Sequence, residues 1–196
     1  MAHELVPSPN CRVNISMSVT AQHDLKPAAF LDRDGVLNVD VGYPHRIEEF
    51  AFIPGAPEAV ARLNRLGYRV IVVSNQSGVA RGLFTEYTVK HFHQHMQEQL
   101  AQMQAHIDAF YFCPYHPDAT VEQYRADHPD RKPNPGMIER AIVDMKIDRS
   151  LSFMIGDRES DMAAASAAGI PGYLFEGGNL LAYLTMIEPI LSFVKI

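Results

Sequence analysis

Two carboxylates two residues apart, Asp32 and Asp34, stand directly after the apolar run at 28–31 and just before Gly35. At a strand exit such a pair can face one pocket if the chain turns there, and a glycine permits the turn. One carboxylate can attack phosphorus to form an aspartyl-phosphate. The other can protonate the departing alkoxide and then activate water for the second step. Taken alone, Asp-x-Asp-Gly is a weak signal that an acidic turn explains equally well.

Three further segments add to it. Ser74-Asn75-Gln76-Ser77-Gly78 follows the β-branched run at 70–73, where a hydroxyl and successive backbone amides can cradle phosphoryl oxygens. Arg131-Lys132-Pro133 precedes a helical stretch, and a lysine there can neutralise charge on a phosphoryl group in transfer. Gly156-Asp157-Arg158-Glu159-Ser160-Asp161 follows the apolar run at 151–155. Carboxylates at a strand exit suit a hard cation such as Mg²⁺, although acidic residues also favour a helix N-terminus for its dipole.

These segments need elements to hold them. From residue 26 onward, short apolar runs alternate with helical patterns. Residues 56–66 carry apolar side chains at helical spacing and stop at Gly67. The longest helix is expected over 85–103, capped by Thr85, with Val89, Phe92, Met96, Leu100 and Met103 on one stripe. Strands are expected at 70–73, 107–112, 151–155 and 171–175, and helices at 135–145 and 160–168. The stretch 113–134 reads as loop, and the apolar segment 180–196 as a final helix. Alternating strands and helices imply an α/β fold, a doubly wound and mostly parallel sheet. In such a sheet reactive groups gather at the carboxyl ends of the strands; three of the segments follow predicted strands directly, and the Arg131 segment, opening the next helix, could converge on the same edge.

Composition sets outer bounds. The chain has 196 residues, 47% hydrophobic and 20% charged, as in an ordinary globular protein. No apolar run is long enough for a membrane span, and two cysteines give no disulfide framework, so a cytoplasmic protein without a membrane partner is expected. The net charge of −6 argues against a nucleic-acid surface. Residues 1–25 read as an irregular leader, and 26–196 as a single domain. Oligomeric state is open between a monomer and a small homo-oligomer.

The four segments in this order resemble the haloacid dehalogenase (HAD) superfamily of phosphohydrolases, over about residues 30–175. The resemblance implies Asp32 as nucleophile and Asp34 as general acid/base. It further implies Ser74 and Lys132 as the phosphoryl-binding pair, and Mg²⁺ held by the Asp32 carboxylate, the Asp34 backbone carbonyl and Asp157. Asp161 matches a second acidic position beyond the direct ligands. The intervals between the segments are largely filled by ordinary strands and helices, leaving no room for a large cap domain.

Longer matches are similar to one subgroup. They run from Asp32 to Asn38, through Gly42-Tyr43, from Ser74 to Gly82, and from Arg131 to Met137. That subgroup contains the heptose 1,7-bisphosphate 7-phosphatases of lipopolysaccharide-precursor synthesis and the histidinol-phosphate phosphatases. It implies a small sugar phosphate as substrate, with Arg131 on a second phosphate, a contact that bidentate arginine geometry suits. Asn75 and Arg81 are further candidates for substrate contact. The subgroup often carries a zinc loop of the form Cys-x-His…Cys-x-Cys, whose positions here read Cys113, Tyr115, His128 and Asp130. With Cys113 alone retained, structural Zn²⁺ is not expected. His91, His93 and His95 are expected on a polar helix surface rather than at a metal. Two other classes remain to compare: a catalytically silent phosphate-binding protein, and a nucleotide-binding dehydrogenase, which lacks its Gly-x-Gly-x-x-Gly here.

Overall fold

The computed structural model describes residues 25–193. Residues 1–24 of the leader expected over 1–25, and the last residues of the expected C-terminal helix, lie outside the described residues. Five strands form one fully parallel sheet: β1 (Ala28–Leu31), β2 (Arg69–Asn75), β3 (Ala109–Cys113), β4 (Phe153–Gly156) and β5 (Gly172–Leu174), in the spatial order β3-β2-β1-β4-β5. Between and after them run α1 (Ala56–Arg65), the single turn α2 (Ser77–Ala80), α3 (Glu86–Gln102), α4 (Gly136–Asp144), α5 (Glu159–Ala167) and α6 (Leu180–Phe193).

Side chains alternate across a strand, and here the alternation sorts the core into two layers. Ala29, Leu31, Val70, Val72, Phe153 and Ile155 pack on one face with Val60 and Leu63 of α1, Phe92 and Met96 of α3, and Leu184 of α6. Ala28, Phe30, Ile71, Val73 and Met154 face the other way, onto Ile138 and Ala141 of α4 and Ala164 and Ala165 of α5. Strands buried on both faces must be continuously apolar, as β1 is along its whole length. The doubly wound α/β expectation therefore holds, and the described residues contain no second sheet that could serve as a large cap.

Chain order places the site. The chain steps from β1 outward to β2 and β3, then returns to the other side of β1 for β4 and β5. Helices leaving β1 and β4 consequently cover opposite faces, and a crevice opens at the carboxyl ends of these two neighbours. Asp32 follows β1 and Asp157 follows β4.

Candidate active site

Asp32 is 7% exposed, and its backbone N–H donates to Ile155 O across the β1/β4 seam at 3.0 Å. Lys132 reaches it from the loop before α4. The Lys132 ammonium lies 2.7 Å from Asp32 Oδ1, 2.6 Å from Asp161 Oδ1 and 2.8 Å from Val73 O. Two of these contacts are hydrogen bonds and the third an ion pair, and the three oxygens together fix the ammonium's position. Asn75 fixes the backbone beneath it: its Nδ2 donates to Lys132 O at 2.9 Å, and its Oδ1 accepts from Lys132 N at 3.0 Å. The Lys132–Pro133 peptide is cis.

Asp32, Asp157 and Asp161 offer carboxylate oxygens within 4.8 Å of one another. Asp157 Oδ1 is buried with no hydrogen-bond partner. Three clustered acids against one lysine, with an orphaned oxygen, form a donor set suited to a divalent cation that prefers oxygen ligands. Asp161 thus stands within the cluster itself, closer in than its sequence position implied. Two glycines permit the crowding. A Cβ on Gly35, whose φ is +89°, would lie 2.3 Å from Asp157 Oδ2, and one on Gly156 would lie 2.2 Å from Asp161 Cβ.

The electrostatics follow from burial. Desolvation pushes the Asp32 carboxyl up to about 7, with the charges of Asp161 and Asp34 adding and Lys132 pulling down. The Asp157 carboxyl is likewise raised, by burial and then by Asp161. For Lys132 burial opposes the charge, but Asp32 and Asp161 outweigh it, and the ammonium is held above its usual value.

Asp34 lives differently. Its Oδ1 accepts from Arg33 Nε at 2.8 Å and Asn38 Nδ2 at 3.0 Å. Its Oδ2 accepts from Arg33 Nη2 at 2.8 Å and Gln76 Nε2 at 3.0 Å. Arg33 is fully buried; it also donates to Pro44 O, lies 3.4 Å from His93 Nε2 and stacks over the Phe92 ring. His93 is correspondingly not on a polar surface, as the helix spacing suggested. It is buried, stacked on Phe110 at 4.5 Å, and pushed down to about 3 by burial and by Arg33. His91 is exposed, in agreement with that expectation.

A cleft of about 550 Å³ opens over these groups, lined by Asp32, Asp34, Ser74, Asn75, Arg131 and Lys132, together with Asp40, Tyr43, Gln76 and Arg158. Arg131 is half-buried and donates to Tyr115 O. Arg81 is exposed and is not one of the lining residues, although its charge is felt at Arg131. One backbone amide expected in the phosphoryl cradle is committed elsewhere, since Gln76 N donates to Cys113 O. Sequence reasoning did not single out Asp40, Gln76 or Arg158. Gln76 and Arg158 sit inside segments already marked, and the missing signal was side-chain direction. Asp40 and Arg158 form an ion pair of 2.9 Å at the cleft rim.

The loop after β3 is held by packing: Tyr115 stacks on His128 at 4.2 Å and meets Tyr124 edge-on. His116 and His128 each accept a backbone N–H at Nδ1, from Asp118 and Asp130. Cys113 is buried at the end of β3.

Comparison with known proteins adds the lineage. Residues 130–183 match the HAD-hydrolase-like family model. The chain is 43% identical to the D-glycero-beta-D-manno-heptose-1,7-bisphosphate 7-phosphatase of Rhodopseudomonas palustris over 169 residues, 86% of this chain and 94% of that protein. It is 45% identical to the Escherichia coli K12 protein of the same name over 144 residues, 74% of this chain and 75% of that one. Among solved structures it resembles the D,D-heptose 1,7-bisphosphate phosphatase of B. bronchiseptica complexed with magnesium and phosphate. That match has a TM-score of 0.70 and 35% identity, and covers 82% of this chain and 86% of that one. Likeness of this extent, on a fold whose strand ends converge as the four segments require, establishes that the chain belongs to the HAD superfamily and is one of its phosphatases.

Proposed function

We propose that the chain hydrolyses the 7-phosphate of D-glycero-D-manno-heptose 1,7-bisphosphate through an aspartyl-phosphate on Asp32. The observation that carries the chemistry is the buried Asp32 carboxylate, fixed by Lys132 at 2.7 Å beside Asp157 and Asp161. Asp32 attacks phosphorus, the bond to the sugar oxygen breaks, and Asp34, entering the step protonated, delivers its proton to the departing alkoxide. Water then attacks phosphorus and passes its proton to Asp34, which releases phosphate and restores Asp32. Ser74 and Lys132 bind the phosphoryl oxygens, an arriving oxygen taking over one of the Lys132 N–H groups from a carboxylate. Asn75 serves by clamping Lys132 rather than by reaching substrate with its side chain. Mg²⁺, held by the Asp32 and Asp157 carboxylates and the Asp34 carbonyl, with Asp161 beside them, supplies neutralisation of phosphoryl charge when bound.

Relatives named for the heptose bisphosphate support this substrate, and the cleft rim agrees with it. Arg131 lines the cleft, and it suits a second phosphate. Histidinol phosphate, the alternative, presents an ammonium that calls for a free carboxylate, but Asp40 is paired with Arg158 and Asp34 with Arg33. The test is phosphate release from both compounds with and without Mg²⁺, using Asp32→Asn as the blank. Mg²⁺-dependent turnover of the heptose bisphosphate alone, lost in the variant, is expected. Preferential turnover of histidinol phosphate would overturn the substrate, and activity surviving in Asp32→Asn would overturn the nucleophile.

A further inference from the structure

Gln76 is 3% exposed, and its amide bridges two groups assigned to different steps: Nε2 lies 3.0 Å from Asp34 Oδ2 and 2.8 Å from Ser74 Oγ. In the arrangement seen here Asp34 accepts from N–H groups at every position, and the amide turns its nitrogen, not its oxygen, toward Asp34. A primary amide nitrogen has two hydrogens, and the second therefore goes to Ser74 Oγ. That contact makes the Ser74 oxygen an acceptor and leaves its own hydrogen for a third atom. Among the described residues Ser74 Oγ has no other hydrogen-bond partner, and Ser74 lines the cleft beside Asp32.

The other end of the bridge is equally constrained. A carboxylate offers about four acceptor positions, and Asp34 fills them with Arg33 twice, Asn38 and Gln76. Arg33 is fixed by full burial, by Pro44 O and by the Phe92 ring. Asn38 is buried and also donates to Val39 O. Of the three donor residues, Gln76 alone lines the cleft. An oxygen of Asp34 can meet a leaving group or a water only by giving up a donor, and the one on the cleft side is Gln76.

Resting on the roles given above to Ser74 and Asp34, we propose that Gln76 is a positioning residue that couples them. Its amide turns the Ser74 hydroxyl into a donor aimed at the phosphoryl group. It also occupies the Asp34 oxygen that carries the proton given to the leaving group and regained from water. Gln76 touches neither the reacting atoms nor the transferred proton; it acts through its two neighbours.

The test compares kcat/KM on a sugar phosphate, a poor leaving group, with that on an aryl phosphate, a good one. Wild type, Gln76→Leu, Ser74→Ala, Asp34→Asn and the two doubles with Gln76→Leu are assayed with Mg²⁺, alongside melting temperatures. Gln76→Leu is expected to lower kcat/KM on the sugar phosphate about 10-fold or more, and less on the aryl phosphate, since general acid assistance matters most for the poor leaving group. Residues acting as a unit are non-additive, so each double should lose clearly less than the product of its singles. Additive losses, equal losses on both substrates, or activity near wild type would overturn the proposal. Should Gln76→Leu fail to fold, Gln76→Glu keeps the shape but accepts the Ser74 hydrogen and repels Asp34. Activity near wild type in that variant would overturn it too. If Ser74→Ala and Asp34→Asn are themselves harmless, the roles of those residues fall and the coupling with them. If both are damaging and Gln76→Leu is additive, the coupling alone fails.

Discussion

Asp32 and Asp34 are two residues apart, yet their surroundings prepare them for different work. Asp32 has one strong donor, Lys132; burial raises its carboxyl to about 7, with Asp161 and Asp34 adding, and it relies on cations to stay ionised. Asp34 is wrapped by four N–H donors. Behind that wrapping sits His93, whose ring stays neutral because burial strips a charged imidazole of water, and because a proton there would also face the Arg33 guanidinium. Its value of about 3 lies below the ordinary 6.5, so below pH 6.5 the unfolded chain binds a proton that the folded chain does not. Stability from this residue is present above that pH and falls as pH drops toward 3, by about 2 kcal/mol at pH 5. In His93→Gln, melting temperature is expected to lose part of its dependence on pH between 7 and 5, even if the variant is less stable throughout. An unchanged pH slope would show that this imidazole is not held neutral.

At the scale of elements, tight turns at the carboxyl ends of β1 and β4 bring the acids together. Gly35 has a left-handed φ of +89° and also no room for a side chain, since a Cβ would meet Asp157 Oδ2 at 2.3 Å. Gly42 has a similar φ of +78° but nothing within 4 Å of the corresponding position. The pair separates backbone strain from steric contact. Gly35→Ala is expected to raise the Mg²⁺ concentration for half-activation about 10-fold, as displaced ligand support typically does, while Gly42→Ala leaves it nearly unchanged. Equal Mg²⁺ requirements, read from activation curves, would mean that Asp157 does not need its present position. Asn75 works at the same scale, closing two hydrogen bonds on the Lys132 backbone that tie the loop lysine to the end of β2.

Across the whole molecule the charge is −6, so attraction for an anionic substrate must come from the cleft and not from the global field. Lys132 stands at its floor, Arg131 and Arg158 on its walls. Arg131→Ala is expected to raise KM for the heptose bisphosphate about 10- to 100-fold, the range for a lost charge-assisted hydrogen bond, and to change kcat/KM for a small aryl phosphate little. Steady-state kinetics on the two substrates check this, and parallel losses would show that Arg131 serves the reacting phosphate instead. Among the described residues no helix is long and apolar enough to cross a membrane.

Much of this was legible before any fold was known. Continuous apolar runs such as Phe30–Leu31 and Val70–Val73 determined the parallel strands, because a strand covered on both faces must be apolar throughout. Motif residues close behind those runs placed Asp32 and Asp157 at strand exits, since chain adjacency is a local property; Ser74 lies within β2, which runs two residues past the expected strand. Only the tertiary structure decided what meets across the sheet. Lys132 reaches Asp32 over 100 residues of chain, Asp161 turns inward to the same ammonium, and Gln76 joins Ser74 to Asp34. His93 turned out buried, next to the buried Phe92, because α3 places it over Phe110 and beside Arg33. Sequence pattern records how often a residue type recurs along the chain. It does not record which way a side chain points once two strand ends close to hydrogen-bonding distance.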